Sequence, residues 1–224
     1  MTREYGKIRA VAHGVKKPKS LIAGDIEPFN HIRIKFQFQE GKELGRILET
    51  ELIDSFLKKN PDLLQIYTYS YFAEIVNEMV QENQPNIPLF RLLLASMKAG
   101  AIARIPVSLA RYFEIWALRL NGLLPDYTHC VHCGKCVKNA GFWAWIESGE
   151  ARCEACARSR GVHVGAKSAV MIEKMMKLPP EKFMILPFER ESATELEKLT
   201  QRLLGFHLEK QLKSFRILRE AFRE

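Results

Sequence analysis

Cys130-x-x-Cys133 and Cys153-x-x-Cys156 are two thiol pairs separated by nineteen residues, the spacing by which short hairpins hold one tetrahedral metal ion. Gly134 follows the first pair, and a glycine there permits the left-handed turn that points backbone N–H groups back at a thiolate. Four thiolates leave no place for water or substrate, so the ion is structural; catalytic zinc keeps one position open. The spacing favours a single Zn2+ on Cys130, Cys133, Cys153 and Cys156 over buried thiols or disulfides, which give no reason for paired x-x spacing. An iron–sulfur cluster is the alternative, because the fifth thiol, Cys136, creates an overlapping Cys133-x-x-Cys136 pair. Cys136 reads as a spare thiol or an alternate ligand. His129 and His132 sit beside the ligands and read as exposed or supporting neighbours.

No other constellation competes for chemistry. There is no His-Glu-x-x-His, no Gly-rich phosphate loop with a lysine, and no acid cluster of the kind two-metal hydrolysis needs. Asp25-Ile26-Glu27, beside Pro28, caps or turns the chain, and Met1-Thr2 offers no N-terminal nucleophile. The chain reads as a non-enzyme.

The surroundings of the cysteines are basic. The 224 residues are 47% hydrophobic, enough for one large core or two smaller ones, and carry a net charge of +8 with a pI near 9.3. Such a balance favours polyanionic partners. No apolar run is long enough to span a membrane, the segment Met1 to Gly6 lacks the apolar stretch of a secretory signal, and zinc thiolates suit a reducing compartment. A cytoplasmic location is expected. Between Arg3 and Lys35 there are eight Lys or Arg against three acids, densest in Lys16-Lys17-Pro18-Lys19-Ser20. With Lys7, Arg9, Arg33 and Lys35 on outward strand faces, Lys16, Lys17 and Lys19 are candidate phosphate contacts; the bland reading is a solvated surface.

Period-two alternation predicts strands over Lys7–Gly14 and Ile32–Gln39, and more weakly over Leu44–Leu52. Asn60-Pro61 then reads as a helix start, with Leu63, Leu64, Tyr67, Tyr71, Ile75 and Met79 at threes and fours. Further helices are expected from about Pro88 to Ala99, Pro106 to Asn121, Ala166 to Lys177, and Ser192 to Arg223, the last weakened or split at Gly205. Phe113, Trp116 and Leu120 form a stripe that reads as core in preference to a base-stacking platform. The fold class is α+β, with a small N-terminal β module joined to an α-helical domain carrying the metal hairpin as an insert.

Several segments resemble the bacterial recombination mediator family RecO. They are Val11-Ala12-His13-Gly14-Val15-Lys16-Lys17-Pro18-Lys19-Ser20 with Glu27-Pro28-Phe29, Leu118 to Pro125 running into Cys130-Val131-His132-Cys133-Gly134, the Cys153–Cys156 pair, and Phe206 to Ser214. The similarity covers essentially the whole chain. It implies an OB-fold over residues 1–58 and an α-helical domain over 59–224, with a four-cysteine zinc-binding insert at about 126–162. It also implies a nonenzymatic DNA repair factor that binds single- and double-stranded DNA and anneals complementary strands. Such a factor works with RecR, and sometimes RecF, to load RecA onto strands covered by single-strand binding protein (SSB). Carried over by position, Lys16, Lys17 and Lys19 form the basic loop and the four cysteines hold zinc; Lys7, Arg9, Arg33 and Lys35 are added from strand alternation. The match begins partway into the family pattern, and about three strands precede Asn60 where an OB barrel needs five. An N-terminally incomplete barrel is therefore expected. Arg104, Arg111 and Arg119 are candidate rims of a groove for the SSB C-terminal tail. The alternative is a zinc-stabilised protein–protein adaptor with little DNA binding of its own.

Overall fold

The alternating stretch after Asn30 is realised as a strand whose inward side chains are Ile32, Ile34 and Phe36 and whose exposed ones are Arg33, Lys35 and Gln37. The computed structural model describes residues 1–13, 21–38, 44–57, 62–102 and 106–222. β1 (Ala10–Ala12), α1 (Leu21–Asp25), β2 (Asn30–Gln37) and β3 (Gly45–Ser55) build a three-stranded sheet in the order β1-β3-β2. β1 runs parallel to β3, and β2 runs antiparallel to it. Breaks in register at His31/Ile32 and Lys35/Phe36 add local twist.

The first strand is shorter than its alternation suggests. Lys7 bridges Glu82, and Asn83 donates its N–H to the Lys7 carbonyl at 2.9 Å, so this stretch is spent on docking against the helical part. Gly6 completes that contact at φ 68, and a Cβ there would lie 1.8 Å from the Gln84 carbonyl oxygen; only glycine fits. Asp25, at the end of α1, accepts from the Thr50 hydroxyl at 2.6 Å and so ties that helix to β3, a tertiary contact and not a helix cap.

α2 (Leu63–Met79) starts at an Asp62 N-cap whose carboxylate accepts from Leu64 N–H at 3.1 Å. Asn60 and Pro61 lie outside the described residues. Leu63 is exposed, and the buried face runs through Leu64, Thr68, Tyr71, Phe72 and Ile75. α3 (Ile87–Ile102) and α4 (Val107–Leu120) follow. Nearly every residue of α4 is buried, which places it at the centre of the helical body. Phe113 stacks on Phe72 with ring centroids 4.0 Å apart, worth about 0.5–1.5 kcal/mol beyond its buried area. Trp116 packs against this core and donates to the Met175 carbonyl at 3.0 Å, so the aromatic stripe is core, as expected.

β4 (Phe142–Trp145), β5 (Glu150–Arg152), α5 (Glu154–Ala157) and β6 (Val162–Val164) carry the cysteine region, with strand order β5-β4-β6. α6 (Ala166–Lys177) has the bounds read from sequence, and α7 (Pro180–Phe183) is an unforeseen single turn. The long C-terminal helix is two, α8 (Arg190–Leu208) and α9 (Lys213–Ala221), but Gly205 does not divide them. Leu199, Leu203 and Leu204 bury the same face beside that glycine, which holds the turn helical despite a propensity cost of about 1 kcal/mol. The chain turns instead at Glu209, whose φ is 53. Among the described residues, no helix is long and apolar enough to cross a membrane.

α9 has no cap of its own: Leu212 makes no side-chain capping bond. Glu74 of α2 supplies it, accepting from Lys213 N–H at 3.0 Å, Ser214 N–H at 2.8 Å and the Ser214 hydroxyl. Glu74→Ala should therefore cost about 1 kcal/mol and speed amide exchange in α9 selectively. An unchanged urea midpoint with unchanged exchange would show that water replaces the carboxylate.

Candidate metal centre and nucleic-acid interface

The two cysteine pairs come from unlike local structures. Cys130 and Cys133 lie on a tight turn: Gly134 N–H donates to the Cys130 carbonyl at 2.8 Å, Cys130 N–H to the Lys135 carbonyl at 2.8 Å, and Gly134 has φ 72, the left-handed turn its position predicts. Cys153 is the N-cap of α5, and Cys156 N–H donates back to its carbonyl at 3.1 Å. The Val131 N–H bond to the Ala151 carbonyl, 3.0 Å, ties the first turn to β5 just before Cys153.

All four sulfurs lie within 4.8 Å of one another, with Cys133 and Cys153 Sγ 3.7 Å apart. Bonds of about 2.3 Å from a central ion imply a tetrahedron with edges of about 3.8 Å. The donor set thus fits one ion, and leaves no room for several irons with bridging sulfides. Burial pushes the Cys130 thiol up, but backbone N–H donors at Cys153, Cys133 and His132 outweigh it and bring it down to about 6. Sharing protons with Cys153 and Cys133 pushes Cys156 up to about 12. Cys130 is therefore favoured as the thiolate, and Cys156 must give up its proton to an incoming metal. Cys136 is exposed, bridges His129 across the turn and stands outside the cluster, as do His129 and the exposed His132.

The cationic residues are more dispersed. Lys16, Lys17 and Lys19 lie outside the described residues. Arg33 is paired with Glu51 and Lys35 with Glu49 at 3.0 Å, directly across the β2–β3 ladder. Arg9 meets Glu82 at 2.5 Å, and Lys7 donates to the Asn77 carbonyl at 2.7 Å. Arg33 and Lys35 thus share one exposed face, while Lys7 and Arg9 turn toward α2 and the segment after it. Exposed pairs of this kind are worth about 0–1 kcal/mol, so they can open toward a phosphate.

Models described as Recombination protein O N terminal and Recombination protein O C terminal match residues 1–56 and 60–216. The chain belongs to the RecO family. It is similar to the DNA repair protein RecO of Koribacter versatilis, 29% identical over 94% of this chain and 86% of that one. It is also similar to the DNA repair protein RecO of Pelotomaculum thermopropionicum, 31% identical over 97% and 84%.

Within the RecO C-terminal region, Arg111 corrects an expectation. It is 1% exposed and forms no groove rim. Its Nη2 meets Glu114 at 2.9 Å and its Nη1 meets Glu197 at 3.5 Å, while its guanidinium lies 5.8 Å from the Phe215 ring centre. Glu114, fully buried, accepts from Tyr71, Thr200 and Gln201. The helical period of α4 hid this network, since i and i+3 ionic residues usually face water. Arg104 lies outside the described residues. Arg119 is exposed, and borders a hollow of about 380 Å³ with Leu124, Pro125, Tyr127 and Met176.

Proposed function

We propose that this RecO-family chain is a DNA repair and homologous recombination mediator. On this reading it binds single- and double-stranded DNA, anneals complementary strands, and helps load RecA onto SSB-covered strands together with RecR, and RecF where present. The observation that carries the reading is the match of both family regions, in order, over residues 1–56 and 60–216. The twisted three-stranded sheet is assigned to an OB-type barrel, a fold whose open face suits flexible strands. The domain division follows: the OB module over 1–58, and the helical domain over 59–224 with its insert at about 126–162.

Lys7, Arg9, Lys16, Lys17, Lys19, Arg33 and Lys35 neutralise phosphates on paired strands and lower their repulsion so that pairing can nucleate. Nothing covalent is required of the chain. Cys130, Cys133, Cys153 and Cys156 hold one Zn2+, which supplies a rigid crosslink and no reactive position. The hollow beside Arg119 has an apolar lining and a rim on which Arg119, Lys138 and Lys177 outnumber Asp126 and Glu173, and it is assigned to the acidic SSB tail. The setting is the cytoplasm, at the nucleoid.

Strand annealing with complementary labelled oligonucleotides tests the reading. Lys16→Ala, Lys17→Ala and Lys19→Ala together should weaken binding to all sequences alike, with zinc content unchanged. The log–log salt slope should flatten by about 2, from roughly 0.7 per phosphate contact on single strands. Wild-type affinity in that variant would move the site elsewhere. The ion pairing of Arg9, Arg33 and Lys35 favours a second reading, the zinc-stabilised protein–protein adaptor; absence of annealing by a folded, zinc-bound chain would put it first.

A further inference from the structure

Two adjoining cavities, of about 800 and 860 Å³, run between the cysteine-bearing sheet and the α8–α9 hairpin. They share Gly161, Val162, Gln201, Arg202, Gly205 and Lys210, so they form one continuous open trough. Its helical wall presents Phe206, 46% exposed, and Phe215, half-buried against Tyr71; its sheet wall presents Trp143, tilted on His163 at 4.8 Å, and Trp145, one face of which Arg152 covers at 4.2 Å. Lys198 and Arg202, one helical turn apart on α8, and Arg216 on α9 line the same trough and are exposed. Among the described residues, none of these three cations forms an ion pair.

The acids of the trough are committed elsewhere. Glu195 accepts from Gly165 N–H at 2.8 Å and from the Ser168 hydroxyl at 2.6 Å, and it faces His163 Nδ1 at 3.2 Å. Glu197 is held between Arg111 at 3.5 Å and Arg219 at 3.0 Å. Glu147 and Glu209 are exposed at the Phe206 end of the trough, where they share the lining with Arg202 and Lys210. At the end lined by Lys198, Arg202 and Arg216, what remains open to a ligand is cationic, with Phe206 exposed one turn beyond Arg202.

We infer that this trough binds single-stranded nucleic acid, its bases on the aromatic side chains and its phosphates on Lys198, Arg202 and Arg216. The inference rests on the DNA-binding reading above and adds a second site to it, remote in sequence from the N-terminal cations. A duplex hides its base faces and cannot use exposed rings. An acidic peptide would find the charges but would leave the exposed Phe206 ring without a flat partner to stack on. Every base has a face to stack, so binding is tolerant of sequence. Two separate strand sites on one chain would let it hold both partners of an annealing reaction.

The chain has three tryptophans, Trp116, Trp143 and Trp145, none of them in the N-terminal module, and two line the trough. In a Trp116→Phe background, used for every arm, tryptophan emission therefore reports the trough separately from the N-terminal face and from the hollow beside Arg119. Titrating the zinc-loaded full chain with an oligothymidylate of about 16 nucleotides should quench that emission. Lys198→Glu, Arg202→Glu and Arg216→Glu combined should abolish the quench and flatten the salt slope by about 2. Phe206→Ala, at an exposed position, should weaken binding about tenfold. Far-UV circular dichroism and zinc content would verify that both variants remain folded. Oligothymidylate binding with emission unmoved, and with wild-type affinity and slope in the charge-reversal variant, would overturn the trough and leave the N-terminal site standing. No oligothymidylate binding by the wild-type chain would overturn the mediator reading and the trough together. Quenching by polyglutamate, with no response to oligothymidylate, would assign the trough to a protein partner and overturn the inference.

Discussion

Cys130→Ser should lose the metal and, with it, much more than a surface hairpin. Cys130, Cys153, Phe142, Ala144, Ala151 and Val164 are all buried in the same apolar cluster as Leu118, Ile172 and Leu204. The short strands β4, β5 and β6 have too few residues to hold this register unaided. Apparent zinc affinities in small sites are about 10–16 kcal/mol at neutral pH, comparable with the entire stability of a domain at about 5–15 kcal/mol. Losing a ligand should therefore melt the region and loosen the helices packed on it, rather than leave a local defect. Zinc content, the thermal midpoint and amide exchange in β4 and α8 would be read together, with exposed Cys136→Ser as the matched control expected to change none of them. Metal affinity should fall as pH drops, because the thiols must release protons to bind. A Cys130→Ser chain with no zinc but an unchanged midpoint would show that the apolar core folds the region alone.

The cysteine cluster was legible because four thiols at fixed spacing are a local signal, and the turn at Gly134, with φ 72, needs only the glycine that stands there. The same held for α6, whose period and ends agree with its sequence. Elements shaped by distant contacts were not legible. Gly205 looked like a break, yet buried leucines beside it carry the helix through; Glu209, with no such mark in sequence, takes the left-handed turn. Over the described part of the Lys7–Gly14 stretch, residues 7–13, the strand is Ala10–Ala12, because the Lys7 backbone bridges Glu82, a partner that no periodicity reveals; Gly14 lies outside the described residues. The cations of the trough carry no signal of their own in the sequence. Lys198, Arg202 and Phe206 do follow one another at i and i+4, but only the sheet opposite turns that stripe into a wall.

Arg111 is the other place where sequence pattern and structure part, and it carries the second large effect. Removing one member of a buried ion pair leaves an uncompensated charge, at about 3–5 kcal/mol, whereas replacing both by apolar groups is often nearly neutral. Glu114→Leu and Arg111→Met should each destabilise by that amount, and the double variant by clearly less. Coupling is expected because each is the other's close partner at 2.9 Å. Even the intact network is imperfect: Arg111 Nε and Nη1 have no hydrogen-bond partner, the Glu197 contact being ionic but not a good hydrogen bond. Burial pushes the Glu114 carboxyl above its ordinary 4.5, opposed by the Arg111 guanidinium and by hydroxyl donors from Thr200 and Tyr71. A raised folded-state value means that the native chain binds this proton more tightly than the unfolded one. Its contribution is then full below the unfolded carboxylate value, and declines as pH rises from there through the folded value. Urea midpoints of the wild type and Glu114→Gln across that range would measure the contribution, which the glutamine variant should lack. A double variant as unstable as the sum of the singles would show that the two side chains do not act as a pair. If Glu114→Gln instead retained the full pH slope, the proton would belong to another group.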